Sequence, residues 1–261
     1  MVTNTAMKSG WAVVTGASSG IGLEFARVLA RRGRPVVAVA RRIDRLQELA
    51  KEASAAGGRI EPLPADLATC QGVELVAQRM QQLGEVELLI NNAGVASGGD
   101  FVEALVDREV GAIRVNIEAV LQLTYAALQV MAPRRRGGII NLASVVAFQP
   151  LPHFAVYAAT KAFVLSFSEA LAEELRGTGV RVLALCPGSV ATEMDLFAHN
   201  KGLLGRLPSL SAEQVVEAGL DGLSGGRVVS VVGGFNSFLP FLDRMMPRSV
   251  TRRLMGASVK V

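Results

Sequence analysis

Short apolar runs recur along the chain, and longer stretches with helical periodicity lie between them. We predict strands at 11–14, 35–40, 59–62, 87–91, 139–142, 180–185 and 227–232, and helices at 23–32, 44–56, 71–83 and 116–131. The apolar runs are too continuous for strands that face water on one side, as expected for a buried parallel sheet. Alternating strands and helices predict an α/β fold, with a parallel, doubly wound sheet and right-handed crossovers.

A glycine-rich turn joins the first strand to the first helix. Its sequence runs from Thr15 through Gly16, Ser18, Ser19, Gly20 and Ile21 to Gly22. Glycines at these spacings let the chain turn tightly and let a pyrophosphate approach the backbone, while the helix N-terminus offers free N–H groups. The context of strand, turn and helix predicts dinucleotide binding, whereas a glycine cluster alone is often only a turn.

The second predicted strand ends in Arg41 and Arg42 rather than in an acidic residue. Arg41 lies 19 positions beyond Gly22, close to where an Asp or Glu would bind the ribose 2′-hydroxyl of NAD. An arginine there can accommodate a 2′-phosphate, so the pair favours NADP(H) over NAD(H). The alternative is a solvated pair that opens the next helix. Further along, Asp66 and Leu67 end the third strand where an adenine could lie.

A tyrosine and a lysine are spaced to share one face of a helix. Tyr157 and Lys161 are four positions apart, so we expect the ammonium to lie near the phenol and lower its pKa. Bringing a phenol from ~10 to about 7 needs about 4 kcal/mol. Ser144 ends the fifth strand 13 positions earlier and could converge with Tyr157 on one small polar group. Taken alone, the pair could equally be an ordinary exposed one.

Composition excludes several other classes of protein. Among the 261 residues, 50% are hydrophobic and only 5% aromatic, which suits close packing of helices on a sheet, and no apolar run has the length of a membrane span. The N-terminus lacks an apolar segment of signal-peptide length, so we expect a cytoplasmic protein.

The net charge of +4 is not gathered in a stripe of basic residues, so we expect no nucleic-acid partner. Cys70 and Cys186 lack metal-ligand spacing, so we expect two buried structural thiols and no metal site.

Together these motifs resemble the short-chain dehydrogenase/reductase family. The resemblance runs over about residues 10–235 and rests on a set of residues in order: the glycine turn 15–22, the segment 91–94, Asn116, Ser144, Tyr157, Lys161 and the pair 187–188. It implies a single Rossmann-type domain over 1–261 that transfers a hydride between a nicotinamide and a carbonyl or alcohol. It also implies a homodimer or homotetramer, with the helices at 103–131 and 153–177 as the interface.

The resemblance also implies roles for individual residues. Tyr157 is the acid/base, Ser144 bonds the reacting oxygen, Lys161 binds the nicotinamide ribose and lowers the pKa of the tyrosine, and Asn116 holds a water in the proton relay. Further cofactor contacts are expected on the adenosine side from Asn92, Ala93 and Gly94, and on the nicotinamide side from Pro187, Gly188, Val190 and Thr192.

Two segments bear on the substrate. Residues 189–210 resemble the family's mobile substrate loop and are strongly apolar, so they favour a lipophilic ketone if the loop closes, or else pack against the domain. The tail, 235–261, combines apolar and basic residues and could touch a membrane surface or an acidic carrier weakly; packing on its own domain or on a subunit partner is the alternative. His153 could face the pocket, and His199 is a weaker candidate.

The sequence therefore predicts an NADP(H)-dependent ketoreductase or alcohol dehydrogenase acting on an apolar, acyl-like or steroid-like carbonyl compound. The alternative is a sensor or scaffold that binds NADP(H) without turnover. Which ketone it uses is left open by the sequence.

Overall fold

Seven parallel strands form one sheet in the computed structural model, which describes residues 10–193, 209–233 and 247–258. The strands are β1 (Trp11–Thr15), β2 (Val36–Ala40), β3 (Ile60–Pro64), β4 (Val86–Asn91), β5 (Gly137–Leu142), β6 (Val180–Pro187) and β7 (Val229–Val232). Their spatial order is β3-β2-β1-β4-β5-β6-β7, and every neighbouring pair is parallel. The predicted α/β fold with a seven-stranded, doubly wound parallel sheet is confirmed.

Helices cover both faces of this sheet. They are α1 (Gly20–Arg31), α2 (Ile43–Ala55), α3 (Cys70–Leu83), α4 (Val106–Ile113), α5 (Ala119–Met131), α6 (Ala155–Glu174), α7 (Ala212–Ser224) and α8 (Arg248–Ser258). Successive β1 residues point to opposite faces: Ala12 and Val14 pack in a core with α1, α2 and α7, whereas Val13 packs in a second core with α3 and α5. Burial on both faces explains why the strand sequences are continuously apolar.

The helix boundaries differ from the predicted ones in a few places. The predicted helix at 116–131 is the second half of a longer helical stretch, in which a π-helical segment, Arg114–Glu118, joins α4 to α5. The capping box of Ser211 and Gln214 begins α7, which the apolar pattern did not indicate. Cys186 is buried as expected, but Cys70 is exposed, because it opens α3 on the solvent side.

Parts of two predicted segments fall outside the described residues. Of the predicted substrate loop, 194–208 lie outside, as does His199; of the predicted tail, only 247–258 are described. Within the described residues, no helix has both the length and the hydropathy needed to cross a bilayer.

Candidate active site

A cleft of about 660 Å³ opens at the carboxyl edge of the sheet, where the strand order reverses between β1 and β4. This is the position at which open α/β sheets bind their ligands. The structure brings most predicted site residues to this cleft: Gly16, Ser18, Ser19, Gly20, Ile21, Arg41, Arg42, Asp66, Leu67, Asn92, Ala93, Gly94, Ser144, Tyr157, Lys161, Pro187, Gly188, Val190 and Thr192. Gly22 and Asn116 do not line it and lie behind its wall.

The glycine turn requires glycine for two different reasons. Gly16 has φ +69°, a conformation that favours glycine, and a Cβ there would lie 2.9 Å from the Ala93 Cα. At Gly22 a Cβ would lie 2.4 Å from the carbonyl oxygen of Gly16. The turn therefore closes tightly against the end of β4, and the N-terminus of α1 faces the cleft.

Thr15, whose contacts the sequence did not predict, ties the glycine turn to the neighbouring strand β4. Its Oγ1 donates to the Ile90 carbonyl at 3.2 Å and accepts from the N–H groups of Asn92 at 3.0 Å and Ala93 at 2.9 Å. The Asn92 side chain returns a bond to the Thr15 carbonyl at 2.8 Å. A threonine directly before the glycine turn was the available signal, but its partners lie 75 or more residues away in sequence.

Of the two arginines at the end of β2, only Arg42 is hydrogen-bonded to the turn. Its Nε and Nη2 donate to the Ser18 Oγ at 3.2 and 3.0 Å, and its Nη2 lies 3.0 Å from the Glu193 Oε2. Arg41 is exposed and lines the cleft beside it. Two cations therefore stand at this end of the cleft, and the sequence had given the greater weight to Arg41.

Asp66 shapes the floor of the cleft near β3. Its Oδ1 accepts from the N–H of Ala68 at 3.0 Å, and Thr69 then caps the start of α3 by accepting from Gly72 at 3.1 Å. The carboxylate therefore stabilises the turn that presents Asp66 and Leu67 to the cleft.

Tyr157 lies in the first turn of α6 with only 7% of its surface exposed. Burial raises the pKa of Tyr157 to about 12, while a hydrogen bond with Ser144 acts in the opposite direction. Ser144 follows β5 and its Oγ also accepts from the N–H of Val146 at 3.3 Å. The predicted convergence of Ser144 and Tyr157 is thus present in the structure.

Lys161 shares the helix face of Tyr157 but does not bond the phenol. Its Nζ donates to the Leu142 carbonyl at 2.7 Å and lies 5.7 Å from the centre of the tyrosine ring. Burial lowers the pKa of Lys161 to about 8. Burial outweighs the other influences on the phenol, so the pKa of Tyr157 lies above its ordinary value here. The lowering that we expect from Lys161 together with a cationic nicotinamide ring stays a prediction.

Asn116 is buried in the π-helical segment and joins three parts of the site. Its Oδ1 accepts from the Val95 N–H at 2.8 Å, and its Nδ2 donates to the Val95 carbonyl at 2.8 Å and to the Thr160 Oγ1 at 3.0 Å. Thr160 in turn donates to the Tyr157 carbonyl at 2.8 Å. In the structure, the Asn116 side chain thus fixes the segment after β4 and the first turn of α6.

A second buried chain of hydrogen bonds, missed at the sequence level, runs behind the cleft. The Asn91 Nδ2 donates to the Thr124 Oγ1 at 3.0 Å and to the Asn141 Oδ1 at 2.9 Å. Asn141 then donates to the Ser168 Oγ at 2.9 Å. These side chains hold β4 and β5 against α5 and α6, so they set the distance between the turn and the tyrosine.

His153 lies beside a second cavity, of about 590 Å³, rather than in the cleft. Its Nδ1 is 2.7 Å from the Asp100 Oδ1, and its φ is +65°. Arg108 lines both cavities, so the two are neighbours. Across the described residues, no group of His, Cys, Asp and Glu is arranged to hold a metal ion.

The surroundings of Tyr157 are apolar. Val145, Val146 and Leu151 are buried with it, and Phe154 and Met255 pack against this cluster. Met255 belongs to α8, where a Cβ on Gly256 would lie 3.3 Å from the Pro152 Cγ. The described part of the tail therefore packs on its own chain, while Arg248 and Arg252 are exposed.

Comparison with known proteins shows which family has this architecture. The profile of the short chain dehydrogenase family matches residues 10–201. A short chain dehydrogenase of Pseudocercospora fijiensis is 41% identical over 70% of this chain and 60% of its own length. A ketoacyl reductase of Nostoc is 35% identical over 69% of this chain and 63% of its own. Human 17-beta-hydroxysteroid dehydrogenase type 3 is 31% identical over 88% of this chain and 75% of its own length. This chain thus spans less than two thirds of the fungal and Nostoc proteins.

Solved structures agree with the sequence comparison. The bulky-bulky ketone specific alcohol dehydrogenase of Comamonas testosteroni has a TM-score of 0.79 and 30% identity, over 92% of both chains. A short-chain dehydrogenase of Sphingobium yanoikuyae in complex with NADPH has a TM-score of 0.77 and 32% identity, over 85% of this chain and 87% of that one.

Proposed function

Because the chain belongs to the short-chain dehydrogenase family of oxidoreductases, we propose that it is an NADP(H)-dependent enzyme that interconverts a carbonyl compound and its alcohol. The observation that carries the proposal is that Ser144 and Tyr157 line one cleft together with Lys161 and the glycine turn. A proton donor and a second hydrogen-bond donor thus share the cleft in which a nucleotide would lie.

The residues of the cleft fit a dinucleotide. The glycine turn packs tightly against the end of β4 and lines the cleft, so a pyrophosphate could approach its backbone at the N-terminus of α1. Arg41 and Arg42 offer positive charge for a 2′-phosphate, and the Sphingobium relative was solved with NADPH. The rest of the nucleotide would be held by Asp66, Leu67, Asn92, Ala93 and Gly94 on the adenosine side and by Pro187, Gly188, Val190 and Thr192 on the nicotinamide side. When bound, the cofactor supplies or accepts the hydride.

Tyr157 and Ser144 would handle the reacting oxygen. A pKa of about 12 keeps the phenol protonated at neutral pH, so Tyr157 carries the proton that an alkoxide needs during reduction. Ser144 stabilises the same oxygen with a hydrogen bond as negative charge develops on it. Lys161 would bind the nicotinamide ribose, and Asn116 and Thr160 act as positioning residues that hold the first turn of α6.

An apolar ketone is the substrate class that we propose. The side chains around Tyr157 are apolar, and a bulky ketone or steroid would replace water against them. The names of the Comamonas alcohol dehydrogenase and of the human 17-beta-hydroxysteroid dehydrogenase point in the same direction.

We further propose that the active form is a homo-oligomer joined through α4 and α5. These helices leave apolar side chains exposed: Val106, Val110, Ile113, Leu121 and Tyr125. Several large apolar side chains left exposed on two consecutive helices favour a protein contact. Light scattering should give at least twice the monomer mass, and Leu121→Glu should reduce it; an unchanged mass in that variant would contradict the assignment.

Replacing Tyr157 by Phe tests the reaction. Purified protein should oxidise NADPH with bulky ketones, steroid ketones or ketoacyl thioesters, and Tyr157→Phe should lower kcat/KM by roughly 10²- to 10⁴-fold because the proton donor is lost. Tyr125→Phe is the matched control, since Tyr125 is the other tyrosine and is exposed on α5. NADPH binding should survive in both variants. Tight NADPH binding by the parent protein without turnover of any ketone would instead support the sensor or scaffold.

A further inference from the structure

Glu193 directs a carboxylate at Arg42, one of the two arginines proposed to offer charge to the 2′-phosphate. Its Oε2 lies 3.0 Å from the Arg42 Nη2, the same nitrogen that donates to the Ser18 Oγ at 3.0 Å. The Arg42 hydrogen bond lowers the pKa of Glu193 below its usual range, and a hydrogen bond with Ser19 contributes in the same direction. The carboxylate is therefore ionised at neutral pH.

The partners of this carboxylate are also the groups best suited to hold a phosphate. An arginine fork and serine hydroxyls at a helix N-terminus are typical phosphate ligands. A carboxylate in contact with Arg42 takes up one of its donors and would repel a dianionic phosphate at the same place. The pair is also easily opened, since 42% of the Arg42 side chain and 56% of the Glu193 side chain are exposed.

We propose that Glu193 is a specificity-determining residue that competes with the 2′-phosphate of the cofactor for Arg42, and so limits the preference of this protein for NADP(H) over NAD(H). The inference rests on the proposed function, because it takes the end of the cleft beside Arg42 to be the 2′-phosphate site. It predicts that neutralising Glu193 tightens the binding of 2′-phosphorylated nucleotides and leaves other nucleotides unaffected.

The test uses nucleotides that lack the nicotinamide, so it does not depend on turnover. Calorimetry should compare adenosine 2′,5′-bisphosphate with adenosine 5′-monophosphate on the wild-type chain and on Glu193→Gln. We expect the bisphosphate to bind about two- to fivefold more tightly to the variant, the range for one exposed ion pair, and the monophosphate to bind equally to both. The gain should shrink at high salt.

Two controls isolate the contact. Glu217→Gln removes the same charge from an exposed pair with Arg32 elsewhere on the surface and should change neither affinity. In an Arg42→Gln background, Glu193→Gln should bring no further gain, because its effect passes through Arg42.

Opposite results would overturn the inference in recognisable ways. Weaker bisphosphate binding by Glu193→Gln would mean that the pair helps to hold the nucleotide, and an unchanged affinity would mean that Glu193 has no part in selection. If the wild type shows no preference for the bisphosphate but Glu193→Gln does, the role of Glu193 stands and the proposed NADP(H) preference of the native protein falls. If neither the wild type nor Glu193→Gln prefers the bisphosphate, both the role of Glu193 and the proposed NADP(H) preference are wrong.

Discussion

Two arginines flank strand β2 and have opposite environments. Arg34 precedes the strand at the amino edge of the sheet, and only 4% of its side chain is exposed. Its Nη2 lies 3.7 Å from the Glu87 Oε2 and its Nη1 donates to the Gly10 carbonyl at 3.1 Å, while Arg136 pairs with the same glutamate at 3.1 Å. Arg42 follows the strand at the carboxyl edge, and its partners Ser18 and Glu193 stand at an open cleft.

The difference shows that the residue type alone does not reveal a binding site. At the amino edge the charges satisfy one another in a buried cluster, so they serve the fold. At the carboxyl edge the arginine is half exposed and its counter-charge can be displaced by a ligand. An ion pair that stabilises the fold is therefore distinguished from one at a binding site by its burial and by whether a ligand can displace one partner.

The largest loss of stability should come from breaking the buried ion pair between Arg34 and Glu87. Glu87→Ala leaves Arg34 without its carboxylate in a buried position and should lower the free energy of unfolding by about 3–5 kcal/mol. Glu85→Ala is the matched control, because Glu85 pairs with Arg134 at 3.7 Å but 61% of its side chain is exposed; it should cost under about 1 kcal/mol. Urea denaturation measures both, and equal losses would contradict the comparison.

Lys161 extends the comparison to a cation that is buried at the carboxyl edge against a carbonyl oxygen. Its pKa falls from 10.5 to about 8 in the folded chain, so between these values the unfolded state binds more protons and stability rises with pH. At 1.36 kcal/mol for each pKa unit, the full gain is on the order of 3 kcal/mol. The gain is complete above pH 10.5 and is lost as the pH falls through 8.

Lys161→Met should remove this dependence. Measured by urea denaturation from pH 7 to pH 10, the stability of wild type relative to the variant should increase, whereas Tyr157 and Cys186 titrate in both proteins. Lys51 lies on the exposed face of α2, so the stability difference between wild type and Lys51→Met should stay constant from pH 7 to pH 10. A constant difference for Lys161→Met as well would mean that the lysine is not desolvated.

The smallest effect concerns the neutral hydrogen bonds behind the cleft. Ser168→Ala removes the partner of the Asn141 Nδ2 and leaves a buried donor unsatisfied, which should cost about 1–3 kcal/mol. Ser224→Ala, on an exposed hydroxyl at the end of α7, should cost much less. Thermal denaturation compares the two, and a loss for Ser168→Ala no larger than that of its control would show that the chain of hydrogen bonds adds no stability.

The sequence determined the features that depend on near neighbours along the chain. Apolar runs predicted the strands, and the glycines at 16, 20 and 22 predicted a tight turn between the first strand and the first helix, because strand burial and backbone freedom depend on local residue types. The placement of Ser144 and Tyr157 in one cleft followed from their positions after β5, since Ser144 follows the end of the strand and Tyr157 lies in the first turn of the α-helix that comes next. The resemblance of the motifs to a family then identified the class of chemistry that the fold was expected to carry.

Tertiary structure alone decided what each polar group contacts. Arg42 meets Glu193 across 151 residues, and Lys161 bonds the carbonyl of Leu142 rather than the phenol of Tyr157. Neither contact has a local pattern, because pKa values and ion pairs depend on burial and on groups brought together by the sheet. The sequence thus indicated most of the groups that line the cleft, though not Glu193, and the folded chain decided their partners.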